Sequence, residues 1–145
     1  MDTDGIMMPD RLERQYRFMM DHSEVASCGN DIAKFMEEDT MLREKHMPTS
    51  PQDLYRYGEK RNPLSHMTVM FRKSAIEAVG GYRHFPGLED YDLWSRLLAN
   101  GYQIANIPEV LVKARIGDRF ESRRGGWSYS NAICGFGKNS IESSI

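Results

Sequence analysis

The sequence predicts an α/β fold in which helices pack on a small mixed sheet. Three segments repeat apolar residues at helical spacing, around residues 8–21, 72–79 and 89–100, and short, mostly apolar runs lie between them. A chain of 145 residues is long enough for one domain with one core. Charged residues make up 28% and the net charge is only -2, which does not indicate a nucleic-acid-binding surface.

The first helix is predicted over residues 8–21, and a strand follows it. Pro9 is typical of a first helical turn. One buried stripe is expected from the apolar residues at helical spacing: Leu12, Tyr16, Met19 and Met20. Six methionines are expected to pack in the core, where their flexible side chains fill irregular gaps: Met7, Met8, Met19, Met20, Met67 and Met70. The run VASCGNDI at 25–32 predicts a strand interrupted at Gly29.

The middle of the chain alternates between irregular and regular patterns. The acidic run at 37–39 predicts a solvated loop, and residues 36–47 fit either a loop or an edge strand. Ser50 followed by Pro51 predicts a helix that ends near Gly58. The run LSHMTVMF at 64–71 predicts a strand buried on both faces, within which a lone His66 is more often a hydrogen-bonded core or rim residue than a ligand.

The last ordered elements are predicted from residue 72 to residue 114. A helix over 72–79 is expected to stop at Gly80 and Gly81. The helix at 89–100 has an apolar face formed by Leu93, Trp94, Leu97 and Leu98, and Asn100 and Gly101 end it. Asp92 and Arg96 can pair on its outer side. Two short strands are expected at 102–105 and 110–114, separated by Pro108, and a poorly packed tail follows Gly117.

Two acidic pairs and one basic cluster are candidates for chemistry. Asp2 and Asp4 form a D-x-D pattern, which at a strand end aims two oxygen ligands at a hard divalent ion; a solvated terminus is the alternative. Glu89 and Asp90 support a helix start by default, although a glycine-rich approach could direct one of them into a cleft as a general base. The basic cluster could bind phosphate, because guanidinium groups match phosphate oxygens with two hydrogen bonds; a solvated surface is the alternative. Its members are Arg115, Arg119, Arg123 and Arg124.

Five segments between residues 1 and 127 form a more specific combination: MDTDGIMMPDRLERQ, NPLSHMTVMFRKSAIEAVGGY, LEDYDLWSRLLANGY, IPEVLVKARIG and RRGG. In this order and spacing they resemble the second half of a family 2 glycosyltransferase of the GT-A fold, of the bacterial polysaccharide type. The resemblance implies a partial GT-A fold that lacks the N-terminal nucleotide-binding half, with Met1 an internal methionine. Residues 128–145 do not resemble the family and are expected to form a poorly ordered tail.

The resemblance also implies a reaction and the residues that perform it. Such enzymes transfer a sugar, with inversion, from a nucleotide-diphosphate sugar to a hydroxyl of a saccharide or lipid-linked acceptor, with Mg²⁺ or Mn²⁺. Asp4 would be the nearer metal ligand, with Asp2 facing the ribose or a metal-bound water. Asp90, the second residue of an E-D motif that begins with Glu89, would be the catalytic base. The candidate donor-binding residues are Asp2, Asp4, Arg119, Arg123 and Arg124. The Q-x-x-R-W motif of processive synthases is absent, which favours transfer of a single sugar.

Other functions stay open beside this one. The chain could be a non-catalytic remnant or interaction module that self-associates through an exposed sheet edge. A metal-dependent phosphohydrolase is less favoured, because no further metal-ligand cluster is evident. A transferase half without its donor-binding partner is expected to be inactive alone. Cys28 and Cys134 lack metal-site spacing and fit a reducing compartment, and neither a membrane span nor a signal peptide is evident. We therefore expect a cytoplasmic protein, or one peripheral to the inner membrane.

Overall fold

The computed structural model describes residues 5–36 and 41–116. Within these residues, five strands form one mixed sheet: β1 (Gly5–Met7), β2 (Val25–Phe35), β3 (Met41–Lys45), β4 (Met70–Phe71) and β5 (Gln103–Arg115). The strand order is β1-β5-β2-β3, and β4 pairs with the start of β2. β2 and β5 are parallel, whereas the other pairs are antiparallel. The predicted α/β class with a small mixed sheet is confirmed.

The described helices lie close to their predicted positions: α1 (Arg11–Asp21), α2 (Pro51–Gly58), α3 (Lys73–Ala78) and α4 (Glu89–Ala99). α1 begins at Arg11 rather than at residue 8. The Ser50 hydroxyl accepts a hydrogen bond from the Asp53 backbone N–H at 3.1 Å, which confirms the predicted cap of α2. Gly80 and Gly81, at φ +91° and +66°, follow α3 as predicted. No helix within the described residues has the length and apolarity that crossing a bilayer requires.

Helices cover both faces of the sheet. α2, α3 and α4 contribute one core cluster, in which Leu54, Trp94 and Leu97 are fully buried. α1 contributes Met19 to a second cluster on the opposite face. Ile104 and Ala105 belong to different clusters because successive residues of a strand point to opposite faces. The two central strands are therefore buried on both sides.

The buried face of α1 is not the apolar stripe that the sequence predicts. Of that stripe, only Met19 is buried. The other members are exposed: Leu12 by 53%, Tyr16 by 61% and Met20 by 60%. The residues that face inward beside Met19 are polar, Arg11 and Gln15. Gln15 Nε2 donates a hydrogen bond to the Thr68 carbonyl at 2.6 Å. The buried face of α1 thus supplies a hydrogen-bond donor to a backbone carbonyl, which an apolar side chain could not do. The prediction of core filling is likewise wrong for Met7 and Met20, which are exposed.

Residues 64–71 do not form the predicted buried strand. A 3₁₀ helix spans His66–Thr68, and pairing with β2 is limited to β4. The Thr68 hydroxyl donates to the Ser65 carbonyl at 2.7 Å, and the Thr68 backbone N–H donates to the same oxygen at 2.8 Å. This local turn withdraws the segment from the sheet. Leu64 is consequently buried, whereas His66 lies at the surface.

Pro108 does not divide the last strand in two, as the sequence predicts. β5 is continuous, and its residues Ile107 and Val110 face consecutive residues of β2, so that Pro108 lies in a bulge. Proline has no N–H to donate, and a bulge is a position at which a sheet tolerates it. The predicted interruption at Gly29 is also wrong, since β2 continues through it. Of the two alternatives for residues 36–47, the edge strand is present as β3. The acidic run at 37–39 and the tail lie outside the described residues.

Candidate active site

The N-terminus of α4 lies towards the carboxyl ends of the two parallel strands. A tight turn at Gly101, with φ +81°, joins the end of α4 to the start of β5, so the helix runs back across the sheet over roughly 16 Å. β1 begins near the same edge, because Gly5 pairs with Ala114 close to the end of β5. In open α/β sheets, ligands bind at the carboxyl ends of the strands.

Three carboxylates occupy the first turn of α4, and their surroundings differ. Leu88 at the N-cap provides no side-chain hydrogen bond, so the acidic residues support the helix start through its macrodipole. Glu89 and Asp90 are partly buried, whereas Asp92 is 4% exposed. Gly87, with φ +77°, directly precedes this turn. The predicted loop-to-helix junction at Glu89 and Asp90 is therefore confirmed.

Asp92 has a structural environment. Its carboxylate accepts hydrogen bonds from Arg96 Nε at 2.9 Å and Nη2 at 2.8 Å, and both side chains are buried. The same guanidinium donates to the backbone carbonyls of Val79 and Gly81, which ties α4 to the turn after α3. The prediction that this pair lies on the outer side is wrong, because the i,i+4 spacing brings two side chains together without deciding which face of the helix is covered.

Asp90 is held through one carboxylate oxygen. Asn62 Nδ2 donates a hydrogen bond to Asp90 Oδ2 at 2.7 Å. The other oxygen, Oδ1, accepts no hydrogen bond from the part of the chain that the structure describes. The neighbouring Tyr91 hydroxyl donates to the Gly58 carbonyl and fixes this turn of α4 against the end of α2. Asp90 therefore combines a fixed position with one oxygen available for an incoming group.

A second polar contact, between His66 and Tyr82, lies at the surface of the protein. His66 Nε2 and Tyr82 Oη lie 3.0 Å apart, and their rings meet edge to face. Burial of the phenol raises the pKa of Tyr82, and the negative charge of Asp90 raises it further by disfavouring phenolate. Tyr82 is nevertheless 47% exposed, and Phe85 in the same loop is 40% exposed. The hydrogen bond at the surface agrees with the rim interpretation of His66.

Most of the other predicted site residues lie outside the described residues: Asp2, Asp4, Arg119, Arg123 and Arg124. A cleft shared by the two acidic pairs thus stays a prediction. Across 5–36 and 41–116, no three His, Cys, Asp or Glu side chains converge in a group that could hold a metal ion. Arg115 is described, and its guanidinium lies 5.7 Å from the centre of the Phe35 ring.

Sequence reasoning misses Asn62 and Tyr82 as members of the site. The Asn-Pro dipeptide at 62–63 marks a turn, and the structure shows a turn contact, since the Leu64 N–H donates to Asn62 Oδ1 at 3.3 Å. The second contact of the same amide reaches Asp90, which is 28 residues away. No periodicity or spacing signals a contact at that separation.

Comparison with known proteins shows which proteins the chain resembles. No family model matches the chain. The chain is 40% identical over 129 residues to the amylovoran biosynthesis glycosyltransferase AmsE of Erwinia amylovora, covering 89% of this chain and 48% of that protein. It is 41% identical over 133 residues to a glycosyltransferase of Haemophilus influenzae, with 91% and 49% covered. The chain is similar to glycosyltransferases along most of its length.

A third relative has a more specific name. The UDP-Gal:alpha-D-GlcNAc-diphosphoundecaprenol beta-1,3-galactosyltransferase of Escherichia coli is 34% identical over 130 residues, covering 89% of this chain and 47% of that protein. The chain spans about half the length of the curated relatives it matches. These similarities relate the chain to part of several glycosyltransferases and do not favour the alternative of a non-catalytic interaction module.

Proposed function

We propose that this chain corresponds to the second half of an inverting family 2 glycosyltransferase of the GT-A fold. The complete enzyme would transfer one sugar from a nucleotide-diphosphate sugar to a hydroxyl of a saccharide or lipid-linked acceptor. The observation that carries the proposal is the Asp90 carboxylate, fixed by Asn62 at one oxygen and open at the other. The similarity to glycosyltransferases over most of the chain supports the reaction class.

Asp90 acts in this proposal as the general base. Its Oδ1 accepts the proton of the acceptor hydroxyl while that oxygen attacks the anomeric carbon and the bond to the nucleotide diphosphate breaks on the opposite face. Such an in-line displacement inverts the configuration of the sugar. A positioned general base typically contributes a factor of about 10²–10⁴ to the rate. Glu89 completes the E-D pair at the same junction, and the exposed ring of Tyr82 would be available to contact the acceptor.

The donor side of the proposal involves residues near both ends of the chain. Asp2 and Asp4 would hold a Mg²⁺ or Mn²⁺ ion, which prefers carboxylate oxygens and stabilises charge on a leaving diphosphate when bound. Asp4 directly precedes β1, which pairs with the end of β5. A cleft shared by these aspartates and Asp90 is part of the proposal. The proposed phosphate contacts are Arg119, Arg123 and Arg124. A cytoplasmic location, or one peripheral to the inner membrane, is part of the same proposal.

Two substitutions separate these roles in the full-length gene product that carries this chain. Asp4→Ala is expected to abolish metal-dependent donor binding, because it removes a ground-state ligand. Asp90→Asn is expected to leave donor binding largely intact and to lower transfer by about 10²–10⁴, because a base acts mainly in the transition state. Glu77→Gln, at a carboxylate that is 66% exposed on α3, is the control. Calorimetry with a nucleotide sugar and Mn²⁺, beside a transfer assay, measures both; equal loss of donor binding in the two variants contradicts the assignment.

The chain by itself is expected to bind such donors weakly. It spans about half the length of its relatives, and the base and ribose of a donor contribute binding energy that positions the reacting centre. Calorimetry of the purified chain with a UDP-sugar and Mn²⁺ tests this expectation. Tight, metal-dependent binding would show that the donor contacts lie within these 145 residues.

A further inference from the structure

We propose that Asn62 is a positioning residue that orients the Asp90 carboxylate; this inference rests on the proposed function of Asp90 as the base. Both ends of the Asn62 amide have partners. Oδ1 accepts a hydrogen bond from the Leu64 backbone N–H at 3.3 Å, and Nδ2 donates to Asp90 Oδ2 at 2.7 Å. The amide thus links a turn of the backbone directly to one oxygen of the base.

These two contacts determine which way the amide faces. In the opposite orientation, the amide oxygen would meet a carboxylate oxygen, and the NH₂ group would meet the N–H of Leu64. Two attractive contacts would become two repulsive ones. Asn62 therefore always presents a donor to Asp90, and a hydrogen bond to an ionised group is among the stronger ones in proteins.

Both partners of this hydrogen bond are anchored independently. Pro63 and Leu64, which follow Asn62, are buried, and Leu64 is only 1% exposed in the core cluster of α4. On the other side, the Tyr91 hydroxyl bond to the Gly58 carbonyl holds the helical turn that carries Asp90. Rotation of the Asp90 carboxylate would break the hydrogen bond with Asn62, and the anchored backbone on either side could not move to restore it. The orientation of Oδ1 is therefore set before an acceptor arrives, which is the condition for efficient proton transfer.

Asn62→Asp tests this role with little change in shape. An aspartate keeps an oxygen that accepts from the Leu64 N–H, but it places a second carboxylate oxygen against Asp90 instead of a donor. Asn62→Ser is the second variant: its hydroxyl can still accept locally but is too short to reach Asp90. The matched control is Asn100→Asp at the far end of α4, where Asn100 Nδ2 donates to the Arg96 carbonyl at 2.7 Å.

Steady-state transfer by the full-length gene product that carries this chain provides the readout. Both Asn62 variants are expected to lower kcat by about 10- to 100-fold, the effect of losing a hydrogen bond to a charged group, with the KM for the donor unchanged. Asn100→Asp is expected to retain the wild-type kcat. Melting temperatures of all variants show whether any loss of kcat follows from unfolding.

Each outcome has a distinct meaning. Wild-type kcat in both Asn62 variants, in a protein that Asp90→Asn inactivates, overturns the role of Asn62 and leaves the proposed function intact. A loss of kcat that Asn100→Asp shares, or that parallels a lower melting temperature, also overturns it and makes Asn62 structural. A wild-type protein with no transferase activity overturns the proposed function, and the inference with it.

Discussion

Replacing Asp92 by asparagine is expected to destabilise the fold by about 3 kcal/mol. The substitution keeps the shape of the side chain but removes the negative charge that faces Arg96. The Asp92 and Arg96 side chains are only 6% and 5% exposed, so the guanidinium would remain buried without a counter-charge. Removing one partner of a buried ion pair costs about 3–5 kcal/mol. We expect a loss at the lower end of this range, because the asparagine oxygen can still accept one hydrogen bond from Arg96.

The chain contains a matched control for this substitution. Glu13 and Arg17 have the same i,i+4 spacing and the same order, with a contact of 2.6 Å, but their side chains are 62% and 74% exposed. Exposed pairs of this kind contribute about 0–1 kcal/mol. Glu13→Gln should therefore change stability little, and the difference between the two substitutions isolates the effect of burial.

Urea unfolding of the purified chain measures both effects. Tryptophan fluorescence follows the fully buried Trp94, and far-ultraviolet circular dichroism follows the helices. Asp92→Asn should move the urea midpoint downward at an unchanged slope, as expected when only stability changes. A loss below about 1 kcal/mol, the range of an exposed pair, would refute the reasoning, because it would mean that water reaches the Arg96 guanidinium.

Three further predictions concern other parts of the fold. Gly29→Ala should lose about 1–3 kcal/mol in urea unfolding, because a Cβ would lie 2.8 Å from Asn106 Oδ1 and 3.0 Å from Thr68 Oγ1; wild-type stability would contradict this packing. The hydrogen bond to Asp31 raises the pKa of His46, so the stabilisation from His46 should be full below about pH 6.5 and disappear as pH rises through the raised pKa. His46→Asn should accordingly destabilise the chain at pH 5.5 and not at pH 8.5, and equal losses at both would refute the linkage. Burial raises the pKa of Cys28 to about 11, so in a Cys134→Ser background this thiol should react with a disulfide reagent at pH 8 only after urea is added, whereas immediate reaction would show it to be accessible.

Helix boundaries are the part of this fold that the sequence predicts well, because they depend on residues a few positions apart. Ser50 and Pro51 predict the start of α2, and the Ser50 cap is present. Asn100 and Gly101 predict the end of α4, where Gly101 adopts the positive φ that favours glycine. In each case the physical cause lies within one helical turn.

Burial depends on distant partners, and there the sequence is a poorer guide. The stripe of Leu12, Tyr16 and Met20 fits a buried face by spacing alone, yet Gln15 faces inward because a carbonyl of the 3₁₀ helix needs a donor. That carbonyl becomes available only because residues 64–71 form a turn instead of a strand. The wrong prediction of a strand at 64–71 is therefore connected with the wrong prediction of the buried face of α1.

The candidate site shows the same division. The resemblance indicates Glu89 and Asp90, and the structure confirms that they begin α4. It does not indicate Asn62, because an Asn-Pro dipeptide indicates only a local turn. The contact between Asn62 and Asp90 depends on how α2 and α4 pack, and the sequence contains no local signal of that packing.

The first turn of α4 offers three carboxylates, and their surroundings favour Asp90 as the base. Asp92 is buried and neutralised by Arg96, so proton transfer at Asp92 would break an ion pair that ties α4 to the turn after α3. Glu89 is partly buried and has no hydrogen-bond partner within the described residues that would fix its longer side chain. A general base needs both a defined position and an oxygen that remains available. Within this turn, Asp90 meets both conditions, because Asn62 holds Oδ2 and leaves Oδ1 open.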